Sequence, residues 1–229
     1  MSLIVNVTTL QTASAVLVRG LLLQVPPGAI HTVMGTSGSG KSSLLAAICG
    51  TLADALCFEG EVTLDGQRID HLPTEQRRVG ILFQEDLLFA HMTVRENLLF
   101  AVPAAAGADR SGRQRHPSRE DLVRQGLADV EMADFADADP ATLSGGQRAR
   151  VALMRALLAQ PRALLLDEPF SKLDPDLRER MRSLVSGLVA QRNIPVVLVT
   201  HDSADVADSR QVTRLPGVTH QSAPRGKLV

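Results

Sequence analysis

The hydrophobic pattern of the chain contains four short apolar runs, rich in β-branched residues, that show no polar alternation. They occupy residues 30–34, 79–83, 163–166 and 196–200. Runs without alternation predict strands that are covered on both faces, as in a parallel sheet. Each run ends at glycine-rich or polar residues. The candidate chemistry therefore lies at the carboxyl ends of strands, where open α/β sheets bind ligands.

Amphipathic stripes between these runs predict helices. After the first run, apolar residues recur every four positions over residues 44–52. A second helix is predicted from Gly146 until Pro161 stops it. A third begins at Asp174-Pro175, where an N-cap residue is followed by proline at the first helical position.

Two regions depart from strand–helix alternation. Residues 4–25 and 61–66 predict short strands and turns that form an antiparallel edge. Residues 85–141 are predicted to be mostly helical, with an irregular polar loop at 107–119 that carries four arginines. This basic loop could dock an acidic partner or could be a solvated segment, and we favour the second interpretation.

Composition narrows the class of protein. The 229 residues suffice for one large domain or for a core with a small subdomain. The net charge of −1 gives no electrostatic reason to expect a nucleic acid partner. No apolar run approaches the ~18 residues of a membrane span, and no export signal precedes the first strand. We expect a cytosolic protein whose membrane contacts go through a partner.

The two cysteines, Cys49 and Cys57, allow two interpretations. They could form a redox pair or part of a metal site, or they could be small core residues in a reducing compartment. No histidine lies at ligand spacing beside them, which favours the core interpretation.

The segment after the first predicted strand fits the phosphate-loop pattern G-x-x-x-x-G-K-[ST]. Glycines permit the tight dihedrals that bring several backbone N–H groups to one phosphate. Lys41 is expected at the β- and γ-phosphate oxygens, and the Ser42 hydroxyl is expected to ligate Mg²⁺. The residues expected to hold the nucleotide here are Gly35, Thr36, Ser37, Gly38, Ser39, Gly40, Lys41, Ser42 and Ser43.

Polar residues at the ends of the other three runs supply candidate catalytic groups. Asp167 is a second candidate Mg²⁺ anchor, and the adjacent Glu168 is the candidate general base for an attacking water. Gln84 could contact the metal or that water, and His201 could donate to the γ-phosphate. A single glutamine or histidine at a strand end is more often structural than functional. We assign a function to Gln84 and His201 because they are expected to lie at the same sheet edge as Asp167 and Glu168.

A second anion cradle is predicted where Leu143-Ser144-Gly145-Gly146-Gln147 opens a helix. Backbone N–H groups, a hydroxyl and the positive end of the helix dipole meet there. One nucleotide does not need two such cradles from one subunit. Two copies related by a twofold axis would use both, each gripping the γ-phosphate bound to the other.

These motifs, in this order, resemble those of the ATP-binding subunit of ABC transporters over nearly the whole chain. The resemblance assigns Walker A to residues 35–42, the Q-loop glutamine to Gln84 and the signature to residues 143–147. It assigns Walker B to residues 164–168, the switch histidine to His201, and the D-loop to residues 171–174, which brings Asp174 into the nucleotide site.

The resemblance implies an α/β fold: a RecA-like P-loop NTPase core with an antiparallel β edge and an inserted helical subdomain. Residues 1–84 and 150–229 would form the core and edge, and residues 85–149 the helical signature subdomain. It also implies ATP hydrolysis with Mg²⁺ and a head-to-tail homodimer. The chain after His201 is short, so no C-terminal regulatory domain is expected.

Residues 87–97 are similar to the import branch of this family, in particular the thiamine, ferric-iron, molybdate and polyamine group. The similarity implies a transmembrane permease as partner, docked beside this segment at the inner face of the cell membrane. A solute-binding protein would act indirectly. An ATPase of an export or lipid-release system is the alternative within the family.

Other classes fit less well. Soluble ABC ATPases that act on DNA or ribosomes carry long coiled coils or two tandem copies. A phosphate-loop kinase of small molecules would place a substrate lid where the signature lies.

Three positions depart from the family pattern. No aromatic residue precedes Phe58, although the family usually stacks one on adenine. We therefore expect weaker ATP binding, poorer discrimination against GTP and an aliphatic contact from residues 11–17. Ser43 replaces the usual threonine, and Lys172 replaces the usual alanine of the D-loop.

Overall fold

The computed structural model describes residues 1–104, 117–217 and 219–220. The strands are β1 (Leu3–Thr12), β2 (Ala15–Val25), β3 (Ile30–Met34), β4 (Leu56–Leu64), β5 (Gln67–Arg68), β6 (Val79–Leu82), β7 (Ala163–Asp167), β8 (Val196–Thr200), β9 (Val212–Arg214) and β10 (Thr219–His220). The helices are α1 (Lys41–Cys49), α2 (Thr74–Arg77), α3 (Val94–Ala101), α4 (Arg119–Asp129), α5 (Gly145–Leu158) and α6 (Pro175–Arg192). Short 3-10 turns occupy Ala133–Phe135, Pro140–Thr142 and Ser203–Asp205.

The four apolar runs form neighbouring strands of one parallel sheet, as predicted. Its order is β6-β7-β8-β3-β9, and every neighbouring pair is parallel. The three-residue strand β9 was not predicted, because it is too short and too polar to give an apolar run. The second run ends earlier than predicted: β6 stops at Leu82, and Phe83 is 42% exposed.

A second, antiparallel sheet has the order β10-β2-β1-β4-β5. The prediction of an antiparallel edge is confirmed, but the prediction of short strands is wrong. β1 spans 10 residues, β2 spans 11 and β4 spans 9. Side chains alternate along β1, with Leu3, Val5 and Val7 fully buried and their neighbours exposed. One face of this sheet therefore packs on the core.

The parallel sheet lies between two apolar clusters. Leu164, Leu166 and Leu198 project into a cluster shared with α5, α6 and the helical region. Their strand neighbours Leu165 and Val197 project to the other side, into a cluster shared with α1 and the antiparallel sheet. Burial on both faces explains why these strands carry no polar alternation.

The helical region contains helices as predicted, but the bounds of its elements differ from the predicted ones. Residues 85–141 contain α3, α4 and two 3-10 turns, as expected. The basic loop lies mostly outside the described residues; its last predicted member, Arg119, is instead the first residue of α4, capped by Ser118. α5 ends at Leu158, before Pro161, and it runs across the predicted subdomain boundary at 149/150. That boundary remains a prediction.

Both cysteines are free thiols. Cys49 is buried at the end of α1, as the core interpretation expects, but Cys57 is exposed on β4, so that interpretation is wrong for this residue. In the part of the chain that is described, no helix is long and apolar enough to cross a membrane.

A buried arginine fixes the far end of α1. The Arg77 guanidinium donates to the carbonyls of Ala47 at 2.8 Å and Ile48 at 3.0 Å, and also to those of Leu72 and Asp70. Burial lowers the pKa of Arg77, while four carbonyls satisfy its donors. The last carbonyls of a helix lack helical partners and carry the negative end of its dipole. Arg77 therefore anchors the helix that begins at Lys41.

Candidate active site

The phosphate-loop segment connects β3 to α1 through two glycines with left-handed backbones. Gly38 has φ 80° and Gly40 has φ 91°, conformations that side chains rarely adopt. Space is also limited, because a Cβ on Gly40 would lie 2.9 Å from the Leu17 Cβ. Gly40 is the N-cap of α1, so the first N–H groups of that helix face the loop without helical acceptors.

Lys41 is 5% exposed and lies inside the loop. Its ammonium donates to the carbonyls of Gly35 at 2.8 Å and Thr36 at 3.0 Å. Its Nζ also lies 3.5 Å from Oε1 of Glu168. Lys41 therefore joins the loop to the carboxylate at the end of β7.

Ser42 and Asp167 form a pair of oxygen groups beside the loop. The Ser42 hydroxyl donates to Asp167 Oδ1 at 3.1 Å. Burial raises the pKa of Asp167, and the charge of Glu168 adds to this, while Ser42 and Lys41 oppose it. A cation at this position would lower the pKa of Asp167 again, because it favours the ionised carboxylate.

The donor set suits Mg²⁺ only together with phosphate oxygens. Within residues 1–104 and 117–217, no group of three or more His, Cys, Asp or Glu side chains is placed to hold a metal ion. Mg²⁺ habitually takes one or two protein ligands and fills its shell with water and substrate phosphates. Ser42 and Asp167 fit that arrangement.

Glu168 occupies a strained position between two strands. Its φ is 46°, which is left-handed, and its N–H donates to the Val199 carbonyl at 3.0 Å. Its Oε2 lies 3.1 Å from Nδ1 of His201. Such strain in a non-glycine residue costs about 1–3 kcal/mol and concentrates at functional sites. The ends of β7 and β8 thus bring Glu168 and His201 together.

The remaining predicted residue of this group, Gln84, is not at a strand end, since β6 stops two residues earlier. It nevertheless lines the same cavity of about 260 Å³ as Asp167, Glu168 and most of the loop, namely Ser37, Gly38, Gly40, Lys41, Ser42 and Ser43. A neighbouring cavity of about 620 Å³ extends from Gly35 and Thr36 past His201 to Leu215. The structure therefore brings Lys41, Ser42, Gln84, Asp167, Glu168 and His201 around one loop.

The signature segment begins α5 through a reciprocal cap. The Gln147 N–H donates to the Ser144 hydroxyl at 3.3 Å, and the Ser144 N–H donates to the Gln147 side chain at 2.8 Å. Ser144 and Gly145 are exposed, and the N–H groups of Gly145 and Gly146 have no helical acceptor. The predicted anion cradle is present as a helix N-terminus.

The cradle does not meet the phosphate loop of its own chain. Among the described residues, neither cavity beside the loop is lined by any residue from 143 to 147. Asp174 is likewise absent from that lining; it caps α6 by accepting from the Leu177 N–H at 3.0 Å. Five of the residues predicted to bind the nucleotide thus lie outside these cavities: Ser144, Gly145, Gly146, Gln147 and Asp174.

Two arginines of α5 that the sequence reasoning missed connect the signature helix to the segment after Gln84. Arg148 Nε donates to Asp86 Oδ2 at 3.3 Å. Arg155 donates to the Leu87 carbonyl at 2.8 Å, and its guanidinium lies 5.4 Å from the ring centre of Phe89. Burial lowers the pKa of Arg155. Their seven-residue spacing, which places both on one helix face, was the available signal.

An exposed apolar groove borders these contacts. Phe83, Leu87 and Phe100 are 42%, 54% and 64% exposed. They line a cavity of about 510 Å³ together with small residues of α5. Apolar side chains of this size, exposed together, mark an interaction surface.

The chain is similar in sequence to several known proteins. The family model described as "ABC transporter" matches residues 18–171. The chain is 49% identical over 208 residues to the uncharacterized ABC transporter ATP-binding protein YnjD of Escherichia coli (strain K12), covering 90% of this chain and 92% of that protein. It is 42% identical over 183 residues to the thiamine import ATP-binding protein ThiQ of Vibrio vulnificus (strain YJ016), covering 80% and 74%. It is 35% identical over 210 residues to the sulfate/thiosulfate import ATP-binding protein CysA of Synechocystis sp., covering 91% and 56%.

Proposed function

The chain belongs to the ABC transporter family of ATP-binding proteins, and from this premise we propose that it powers solute import by hydrolysing ATP at the loop of residues 35–43. The observation that carries the proposal is the convergence of Lys41, Glu168 and His201, joined at 3.5 Å and 3.1 Å. A buried ammonium, a carboxylate and an imidazole at one phosphate loop are the groups that phosphoryl transfer to water needs.

The polar residues in and around the loop have separate proposed roles. Lys41 exchanges its carbonyl partners for β- and γ-phosphate oxygens, because a charged acceptor binds an ammonium more strongly than a neutral one does. Ser42 and Asp167, with Gln84 nearby, would hold Mg²⁺, which would neutralise phosphate charge. Glu168 accepts a proton from the attacking water, and His201 orients Glu168 and donates toward the γ-phosphate.

A second copy of the chain completes the site. The exposed cradle of Ser144, Gly145 and Gly146, with Gln147 and Asp174, lies outside the lining of its own phosphate cavity. A head-to-tail twofold dimer would place the cradle of each copy at the γ-phosphate bound to the other. This separation of two anion sites on one chain supports a dimer closed by ATP.

The membrane partner is a permease that docks in the groove of Phe83, Leu87 and Phe100, at the inner face of the cell membrane. The relatives named for thiamine and sulfate/thiosulfate import support an import system, in which a solute-binding protein acts indirectly. The arginines of α5 would then transmit the position of the permease to the signature.

The Glu168→Gln variant tests the proposal. It should bind ATP, hydrolyse it about 100-fold or more slowly because the general base is lost, and accumulate as a dimer in ATP and Mg²⁺. Phosphate release and size-exclusion chromatography at high protein concentration measure both effects. Glu120→Gln, an exposed carboxylate in the first turn of α4, is the matched control. A Glu168→Gln protein that stays monomeric and hydrolyses ATP at the normal rate would contradict the assignment.

A further inference from the structure

We propose that Arg214 binds the γ-phosphate of the nucleotide held at the phosphate loop, so that the site has a second protein cation besides Lys41. The inference rests on the proposed function, because it takes residues 35–43 as the triphosphate site. It adds a residue that distinguishes ATP from ADP and that stabilises the charge of the transferred group. Arg214 lies outside every motif identified in the sequence.

Strand pairing brings Arg214 to the start of the phosphate loop. β9 lies parallel to β3, and Arg214 is the pairing partner of Met34, the last residue before Gly35. The Leu215 N–H donates to the Met34 carbonyl at 2.7 Å, which holds the two strand ends at the same level. Leu215 is buried, whereas Arg214 is exposed. β9 therefore adds a charged side chain to the carboxyl edge of the sheet, where the candidate catalytic residues lie.

Arg214 shares a cavity with the candidate catalytic residues. The cavity of about 620 Å³ beside the loop is lined by Arg214 together with Thr36, Glu168 and His201. Arg214 is the one lysine or arginine among the described residues that line it. Arginine stays charged at physiological pH, and its guanidinium carries five N–H donors in a planar fork that matches phosphate oxygens. The cavity therefore presents a permanent cation to an anion held by the loop.

No carboxylate among the described residues neutralises this cation. Within residues 1–104 and 117–217, the side chain of Arg214 takes part in no salt bridge. Glu168 lines the same cavity, but its carboxylate lies 3.5 Å from the Lys41 ammonium. Asp208, the nearest acidic residue along the chain, pairs with Arg210. The charge of Arg214 is therefore available to an anionic ligand, and charged groups form the stronger hydrogen bonds.

Two cavities meet at Glu168, and this sets the place of the γ-phosphate. Glu168 lines both the larger cavity and the smaller one of about 260 Å³. Gly38, Gly40 and Lys41 line only the smaller cavity, which places the β-phosphate there. The water that Glu168 activates must lie within hydrogen-bond reach of its carboxylate and ~3 Å from the γ-phosphorus. The γ-phosphate therefore lies where the cavities meet, between Lys41 on one side and Arg214 on the other.

The role of Arg214 in hydrolysis is electrostatic. As the attacking water forms its bond to the γ-phosphorus, the bond from that phosphorus to the bridging oxygen breaks, and its electron pair leaves with ADP. One proton of the water passes to Glu168, and the other stays on the released phosphate. Arg214 exchanges no proton or electron. It stabilises the negative charge on the γ-phosphate oxygens during the transfer.

Binding measurements on the full chain with Mg²⁺ test the inference with two probes, ADP and the non-hydrolysable β,γ-imido analogue of ATP. Arg214→Ala should weaken the ATP analogue about tenfold and change the Kd of ADP by less than about twofold, because ADP lacks the γ-phosphate. Arg214→Lys keeps the charge without the planar fork and should recover part of the lost affinity. Phosphate release at saturating ATP should fall by about tenfold or more in Arg214→Ala.

Arg210→Ala is the matched control. Arg210 lies on the turn before β9, is exposed, and is absent from the lining of both cavities beside the loop. This variant removes a guanidinium of the same kind and should change neither Kd value nor the rate of phosphate release.

The same binding measurements in a Ser144→Arg background separate two partners of Arg214, the nucleotide and a second copy of the chain. Ser144→Arg blocks the signature cradle, so that only the phosphate loop holds the nucleotide. Arg214→Ala should still weaken the ATP analogue about tenfold in this background. A loss that disappears there would show that Arg214 contacts the other copy, and the inference would fail. Equal weakening of ADP and the analogue, or weakening of neither, also overturns it. If the wild type binds neither probe, the proposed function fails as well, so the two failures are distinguishable.

Discussion

At the scale of single residues, a buried carboxyl group holds the chain beside His201. Asp205 is 4% exposed and accepts from the Thr200 hydroxyl at 2.8 Å. The same hydroxyl oxygen accepts from the Asp202 N–H at 3.0 Å, which closes the turn around His201. Burial raises the pKa of Asp205, with a contribution from the charge of Asp202, while Thr200, Arg178 and Arg182 oppose the shift. Asp205 is therefore a positioning residue whose ionisation costs stability.

Asp205→Asn should change the pH dependence of stability in a defined direction. The native pKa of Asp205 lies above its ordinary value of 3.8, so the unfolded chain ionises first as the pH rises. As the pH rises from the pKa of the unfolded chain to the native pKa, the wild type loses stability. Asparagine cannot ionise, so the variant does not lose stability in this way. The melting temperature of Asp205→Asn relative to wild type should therefore rise with pH across this window and then stay constant.

Asp208→Asn provides the opposite case for the same melting experiment. Hydrogen bonds from Arg210 hold the pKa of Asp208 below its usual range, so its carboxylate stabilises the native state above that range. The melting temperature of this variant relative to wild type should fall as the pH rises. If the relative melting temperature changed with pH in the same direction in both variants, burial would not be the main cause of the shifted pKa of Asp205.

At the scale of elements, α5 is packed at its first turn as tightly as a core helix. Gly146 faces α6, where a Cβ would lie 2.1 Å from Leu177 Cδ2. Gly145, one residue earlier, faces only the end of Arg148 at 3.9 Å. The first turns of α5 and α6 are therefore in contact, and the missing side chain of Gly146 makes this possible.

Gly146→Ala should destabilise the protein, because the methyl group must push Leu177 or the two helices apart. Overpacking of this kind costs about 1–3 kcal/mol. Gly145→Ala adds the same methyl group in open space and should change the free energy of unfolding by less than about 0.5 kcal/mol. Denaturant titration of both variants measures the difference. If both variants lost the same free energy of unfolding, contact with α6 would not be the cause of the destabilisation.

The sequence predicted those elements whose signals are local. The apolar runs that became β3, β7 and β8 needed no partner to be recognised, and the caps at Ser144 and Asp174 lie within three residues of the groups they satisfy. Convergence of Asp167, Glu168 and His201 followed from the rule for parallel strands.

Features that depend on pairing or packing were not predictable in this way. One such feature is a β-bulge between β1 and β2, where Leu10 pairs with Val18 and Gln11 pairs with Val16, so that Leu17 has no partner on β1. Residues 15–18 are uniformly apolar, so no polar residue in the sequence marks this shift of register. The full length of those strands depends on the same pairing. Arg77 anchors α1 from a position 30 residues away in the sequence, and Arg155 contacts Leu87 from a position 68 residues away. No local sequence pattern predicts contacts over such separations.

At the scale of the whole molecule, the proposed nucleotide site divides into two halves that lie on different elements of the described chain. The catalytic half contains Lys41 and Glu168 at the carboxyl edge of the parallel sheet, and the signature half contains Ser144 at the start of α5. In the proposed dimer every complete site combines the catalytic half of one copy with the signature half of the other. This arrangement makes a prediction that a monomeric ATPase does not.

Mixing two inactive variants should restore ATP hydrolysis when their defects lie in different halves. Lys41→Ala and Ser144→Arg each disable both sites of their own homodimer. In a mixed dimer one site receives both defects and the other receives neither, so one site is intact. Random pairing of equal amounts makes half of the dimers mixed, and independent sites would then give about one quarter of the wild-type rate.

Mixing Lys41→Ala with Glu168→Gln is the control, because both defects lie in the catalytic half and every mixed dimer keeps two damaged sites. Phosphate release that recovers only in the first mixture requires sites shared between chains. Recovery in neither mixture, or equal recovery in both, would contradict the prediction of independent sites shared between chains.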